Sequence, residues 1–137
     1  MHVSEGMSSV VLTVGPDHTL REAAKQMAKR SVGAAVVIDP EQPGPGIFTE
    51  RDLLMALGSG QDPDEERVCQ HLSENLTFAA PDWSLERAAE EMVNGGFRHL
   101  VVIDGGEIAG VLSMRDIVRC WSATGATADV EAARSRA

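Results

Sequence analysis

The sequence predicts a mixed α/β (α+β) fold, in which two β-α-β-β-α repeats pack sheet to sheet with pseudo-two-fold symmetry. Three observations carry this expectation. The chain matches itself at a nearly fixed offset, each copy holds an apolar stripe at helical spacing, and each holds short apolar runs of strand length. At an offset of 65, Val3 meets Val68, Ser8 meets Ser73, and Pro16-Asp17 meets Pro81-Asp82. Leu20, Ala23, Ala24 and Met27 meet Leu85, Ala88, Ala89 and Met92. Val36-Val37-Ile38-Asp39 meets Val101-Val102-Ile103-Asp104. The second connection is then one residue shorter, so Gly46 meets Gly110 and Arg51-Asp52 meets Arg115-Asp116.

The first element of each copy is a short strand, Val10–Val14 in the first and, more weakly, Leu76–Ala79 in the second. A helix follows. Leu20, Ala23, Ala24 and Met27 lie at i, i+3, i+4 and i+7 and share one face. Thr19-Leu20-Arg21-Glu22 reads as a capping box at its start. Ser84 caps the second copy, but Arg87 stands where the reciprocal Glu would be. The helices should stop near Arg30 and at Asn94-Gly95-Gly96, the latter a good left-handed terminator. Ala34–Ile38 and Leu100–Ile103 are short continuous apolar runs, as expected of strands buried on both faces. Turns rich in Pro and Gly come next, then a strand to Phe48 or Leu112, then a helix from Thr49 or Ser113.

One such repeat buries little surface alone, which favours two packed together. The boundaries drawn from sequence are 1–62 for the first repeat with its linker, 63–121 for the second, and 122–137 for a weakly ordered tail. The linker from Gly58 to Glu66 is flexible, then acidic, and reads as solvent-exposed.

Composition narrows the function. The 137 residues carry 21 Asp+Glu against 12 Lys+Arg, a formal charge of −9, which argues against a nucleic-acid binder. No apolar run approaches the roughly 18 residues of a membrane span, and the start lacks the regions of a secretory signal. A cytoplasmic protein with reduced Cys69 and Cys120 is expected. His2, His18, His71 and His99 show no metal-ligand spacing, so no metal site is expected. G-x-S-x-G, GxxxxGK[ST] and HExxH are all missing, and an enzyme is hard to build from these residues.

The most informative residues lie where the last strand of each copy enters the last helix. The first copy reads Gly46-Ile47-Phe48-Thr49-Glu50-Arg51-Asp52, the second Gly110-Val111-Leu112-Ser113-Met114-Arg115-Asp116. Two readings fit. Thr49-x-x-Asp52 and Ser113-x-x-Asp116 satisfy the capping-box pattern. The same geometry suits an anion, since a helix start offers N–H groups and a positive dipole end, and Arg51 and Arg115 add charge that a cap does not need. An Asp at this place can accept two ribose hydroxyls.

The duplicated G-h-h-[ST]-x-x-D motif and the β-α-β-β-α order resemble CBS domains, named after cystathionine β-synthase. The resemblance covers about residues 3–121 and implies a stand-alone tandem pair. It implies that Asp52 and Asp116, with Thr49, Arg51, Ser113 and Arg115, hold the ribose and phosphate of an adenosine nucleotide. It places His18, Val32 and Ala34 in one repeat, and Trp83, Phe97 and His99 in the other, against the base. Arg98-His99 would face phosphate, and each site would be composite, with the base contacts from one repeat and the ribose Asp from the other. Asp52 and Thr49 would pair with Trp83, Phe97 and His99, and Asp116 and Ser113 with His18, Val32 and Ala34. The implied ligands are AMP, ADP, ATP, S-adenosylmethionine or a dinucleotide, bound in the cleft between the repeats as regulators, with no other cofactor. A homodimer that modulates a separate protein is the implied assembly, without nucleic acid or membrane. The competing expectation is a dimeric interaction scaffold in which the two motifs are helix caps alone.

Overall fold

The computed structural model describes residues 1–73 and 77–123. A short helix α1 (Val3–Gly6) opens the chain. Then come β1 (Thr13–Val14), α2 (Leu20–Arg30), β2 (Ala34–Val37), β3 (Gly46–Thr49) and α3 (Glu50–Gly58). A 3-10 turn at Val68–Gln70 leads to β4 (Phe78–Ala79), α4 (Leu85–Gly95), β5 (His99–Asp104), β6 (Glu107–Ser113) and α5 (Met114–Ala123). Of the expected tail, Ser122 and Ala123 end α5, and the rest lies outside the described residues.

Each repeat forms its own three-stranded sheet, β1-β2-β3 and β4-β5-β6. In each, the first pair is parallel and the second antiparallel. The first strand is shorter than the Val10–Val14 run predicts. Strand pairing is limited to Thr13↔Val36 and Val14↔Val37, with Leu12 held by its carbonyl, which accepts from the Val36 N–H (2.9 Å). The apolar stripes fall as expected, with Leu20, Ala23 and Met27 buried on α2 and Leu85, Ala88 and Met92 on α4. Val36 and Val101 are buried too, on the face opposite the residues that meet these helices, so the central strands are covered on both sides. Ser31 (φ 54°) and Gly96 (φ 71°) end the two helices in the left-handed region. At α2 the capping box is half formed. The Glu22 N–H donates to the Thr19 hydroxyl (3.2 Å), while the Glu22 carboxylate accepts from that hydroxyl (3.2 Å).

The packing units do not follow the boundaries drawn from sequence. Met1–Ser9 groups with the chain from Thr77 onward, and the chain from Val10 to the linker's end forms the other unit. The segment before each repeat has moved to the other repeat's core, and it does so identically in both units. The Val3 N–H donates to the Trp83 carbonyl (2.8 Å), and the Val68 N–H to the His18 carbonyl (2.8 Å). The Ser8 N–H donates to Val111 O (3.0 Å), and the Ser73 N–H to Ile47 O (3.0 Å). Val3 and Val68 are each 0% exposed, and burying that much apolar surface holds the segments in place. Val3 joins the core of Leu85, Met92, Leu100, Leu112 and Ile117, and Val68 that of Leu20, Met27 and Phe48.

The acidic linker is therefore not a free loop. The carbonyls of Pro63 and Glu66 accept from the N–H groups of Arg21 and Leu20 (3.0 Å each). Arg21 also forms a two-armed pair with Asp64 and holds that carboxyl below its usual range through the direct hydrogen bond. Both side chains are exposed, so the pair adds little stability.

The equivalent glycines Gly46 and Gly110 let these segments approach the strands. A Cβ at Gly110 would lie 2.5 Å from the Ser8 carbonyl oxygen, whereas one at Gly46 would meet the Leu72 Cδ1 at 3.0 Å. A backbone oxygen cannot swing aside, but a leucine methyl can. Gly110→Ala should therefore cost about 1–3 kcal/mol, several degrees in Tm, and clearly more than Gly46→Ala. Thermal unfolding of the two variants checks this, and equal losses would contradict it.

Candidate functional site

In both repeats a strand runs straight into a helix. Thr49 ends β3 and caps α3, and Ser113 ends β6 just before α5. Each junction is closed by reciprocal hydrogen bonds. The Thr49 N–H donates to Asp52 Oδ2 (2.8 Å) and the Asp52 N–H to Thr49 Oγ1 (3.3 Å). The Ser113 N–H donates to Asp116 Oδ2 (2.8 Å) and the Asp116 N–H to Ser113 Oγ (3.0 Å). The capping-box reading is thus realised twice.

Two further groups reach these carboxylates, and the sequence reading missed both. The Ser73 hydroxyl donates to Asp52 Oδ2 (2.6 Å), joining the Thr49 hydroxyl (2.9 Å) on the same oxygen. Arg119 Nη2 lies 3.1 Å from Asp116 Oδ1. The first was signalled by the match of Ser73 to Ser8, the second by the i,i+3 spacing of Asp116 and Arg119.

The helix starts hold fewer open amides than an anion cradle would use. The Glu50 N–H is taken by Gly33 O (2.9 Å) and the Met114 N–H by Arg98 O (2.8 Å). With the Asp52 and Asp116 amides also bonded, a phosphate here would depend on side-chain cations such as Arg51, Arg98 and Arg115.

Two of the remaining expected site residues pair directly with these junctions, and the others lie elsewhere in their units. Ala34 is the cross-strand partner of Thr49, and His99 that of Ser113. Val32 is exposed and Arg98 is exposed, each just ahead of its central strand. Phe97 is half-buried against the core of its unit and lies over Gly95, where a Cβ would sit 1.9 Å from its ring. His18 is half-buried before α2, and its Nδ1 accepts from the Gly15 N–H (2.8 Å), which puts the proton of the neutral ring on Nε2. Trp83 is half-buried at the matching place before α4, and the Arg87 guanidinium covers one face of its ring at 3.8 Å. One unit thus holds His18, Val32, Ala34, Thr49, Arg51 and Asp52. The other holds Trp83, Phe97, Arg98, His99, Ser113, Arg115 and Asp116.

Among the described residues, no polar or charged residue is buried, and no three His, Cys, Asp or Glu residues gather as a metal group. No described helix is long and apolar enough to cross a membrane. The cap itself has a measurable role. Thr49→Ala should lower the unfolding free energy of the ligand-free protein by about 1 kcal/mol, read from denaturant titration, and an unchanged midpoint would contradict it.

Comparison with known proteins fits this geometry. The family described as CBS domain matches residues 2–59 and 68–122. An uncharacterized 17.7 kDa protein of Acidianus ambivalens is 36% identical over 118 residues, covering 85% of this chain and 71% of its own length. Some curated relatives are much longer, and the chain spans only 20% of one from Arabidopsis thaliana. Among solved structures, a CBS-domain containing protein from Agrobacterium tumefaciens is similar at TM-score 0.77 and 33% identity, over 86% of this chain and 91% of that one. A CBS domain protein from Pyrobaculum aerophilum, complexed with AMP, is similar at TM-score 0.75 and 31% identity, over 85% and 89%. The family match covers both repeats, and the chain belongs to the CBS domain family as a tandem pair of repeats.

Proposed function

We propose that this chain is a regulatory module that binds an adenosine-containing nucleotide, AMP first among the candidates, and modulates a separate partner. The observation that carries the reading is the duplicated junction. Asp52 and Asp116 are each pinned by Oδ2 to the amide of the preceding Thr49 or Ser113, which fixes the carboxylate before any ligand arrives. A fixed, half-buried carboxylate suits a ribose diol, because no side-chain entropy remains to be lost. The similar Pyrobaculum aerophilum protein was solved with AMP, which supports the same ligand class. Thr49, Arg51, Ser113, Arg115, Arg98 and His99 complete the ribose and phosphate set. His18, Val32, Ala34, Trp83 and Phe97 provide the base contacts. The ligand would act by binding one conformation of the module better than another. The role is binding rather than catalysis, in the cytoplasm, where free Cys69 and Cys120 stay reduced.

The same module pairs with a second copy. Leu54 (68% exposed) and Met55 (61% exposed) on α3 form apolar surface that a homodimer would cover. Leu54→Glu should shift the sedimenting species from dimer to monomer, and an unshifted dimer would contradict this surface.

Thermal unfolding against millimolar AMP, with GTP as control, tests the ligand. At 100 times its Kd, AMP should stabilise the protein by about 2.7 kcal/mol, several degrees in Tm. Asp52→Asn combined with Asp116→Asn should abolish the shift, since the amide still accepts the cap N–H but no longer carries the charge. No shift with AMP or any other adenosine nucleotide would leave the motifs as caps and the module as a scaffold.

A further inference from the structure

The two anchors are equivalent in sequence but not in their surroundings. On α5, Arg119 stands one helical turn beyond Asp116, with its Nη2 3.1 Å from Oδ1. Asp116 Oδ2 is already held by the Ser113 N–H, so both oxygens of this carboxylate are engaged. The same guanidinium nitrogen donates a long hydrogen bond to the Gly6 carbonyl (3.4 Å) and is held from two sides. The Asp116 side chain is 13% exposed, whereas that of Arg119, in contact with it, is 65% exposed. On α3 the equivalent position is Met55, which brings no charge to Asp52. There the hydrogen bonds of the cap and of Ser73 converge on one oxygen, Oδ2.

We infer that Arg119 masks the Asp116 anchor, so that Asp52 takes the ribose of an adenosine nucleotide first. The inference rests on the nucleotide reading above and gives its two anchors an order. A ribose diol approaching Asp116 must displace or share Arg119, whereas the equivalent position on α3 is Met55, which carries no charge. Arg119 is exposed, so the ion pair is weak and the mask is partial. The Asp116 anchor fills at higher ligand concentration rather than never.

Calorimetric titration with AMP tests this. Asp52→Asn isolates the Asp116 anchor, and in that background Arg119→Met should tighten AMP binding on the order of two- to fivefold. Arg119→Lys, which keeps the charge, should stay close to its parent. In the Asp116→Asn background, Met55→Arg should weaken AMP binding by a similar factor, with sedimentation matched to the parent's because Met55 also lies on the surface proposed for the dimer. Melting without ligand identifies any variant that does not fold, and the α3 and α5 arms are independent of each other. Unchanged or weaker AMP binding on Arg119→Met, in a folded protein whose parent binds AMP, overturns the masking and leaves the nucleotide reading standing. Weaker binding would also assign Arg119 to the phosphate. Absence of AMP binding by the unsubstituted protein overturns both.

Discussion

The reciprocal hydrogen bonds at the strand-to-helix junctions constrain most of this chain. Thr49 and Ser113 are the last residues of a ladder and the residues from which a helix starts, so their amides cannot be left open without weakening both elements. The carboxylates of Asp52 and Asp116 satisfy those amides and are fixed in return. The central strands end in register with this point, Ala34 opposite Thr49 and His99 opposite Ser113. The first helical amide donates to the residue just before each central strand, closing the same corner. The cap geometry leaves the carboxylate fixed, so the proposed ribose contact and the cap use the same group and do not compete.

The exchanged flanking segments supply what a single repeat lacks. A unit this small cannot bury enough surface unaided. Val3 and Val68 each complete a core to which their own repeat does not belong. The segment before the second repeat also touches the α3 cap, because Ser73 bonds the Asp52 oxygen that closes it. On α5, Arg119 reaches both Asp116 and the Gly6 carbonyl of the N-terminal segment.

Much of the fold was legible because its determinants are local. The helix stripes, the caps at Thr49 and Ser113, and the Gly96 terminator each need only three or four neighbouring residues to be read. The duplication added the pairing of elements, since two copies of one pattern at a constant offset imply one topology used twice. What was not legible depends on partners far along the chain. Nothing near Val3 says that it will meet Trp83, because a four-residue helix has no period to display. The linker looked solvated because its acidic side chains are, while its carbonyls are bonded to α2. Arg87 was seen as a departure from a capping box, but its place over Trp83 depends on rotamers that sequence does not display. Of the candidate site, the capping carboxylates Asp52 and Asp116 were visible, and the contacts that Ser73 and Arg119 make with them were not.

The central claim is that one carboxylate caps a helix and holds a ribose at once. Amide NMR of the isotope-labelled protein, titrated with AMP, tests it most directly. The account predicts that the Thr49 and Asp52 amide signals move in a saturable way at the lowest AMP concentrations. They should keep their slow hydrogen exchange, because the cap bond persists beneath the ligand. Signals that do not move, or that move only at residues remote from both junctions, would contradict it.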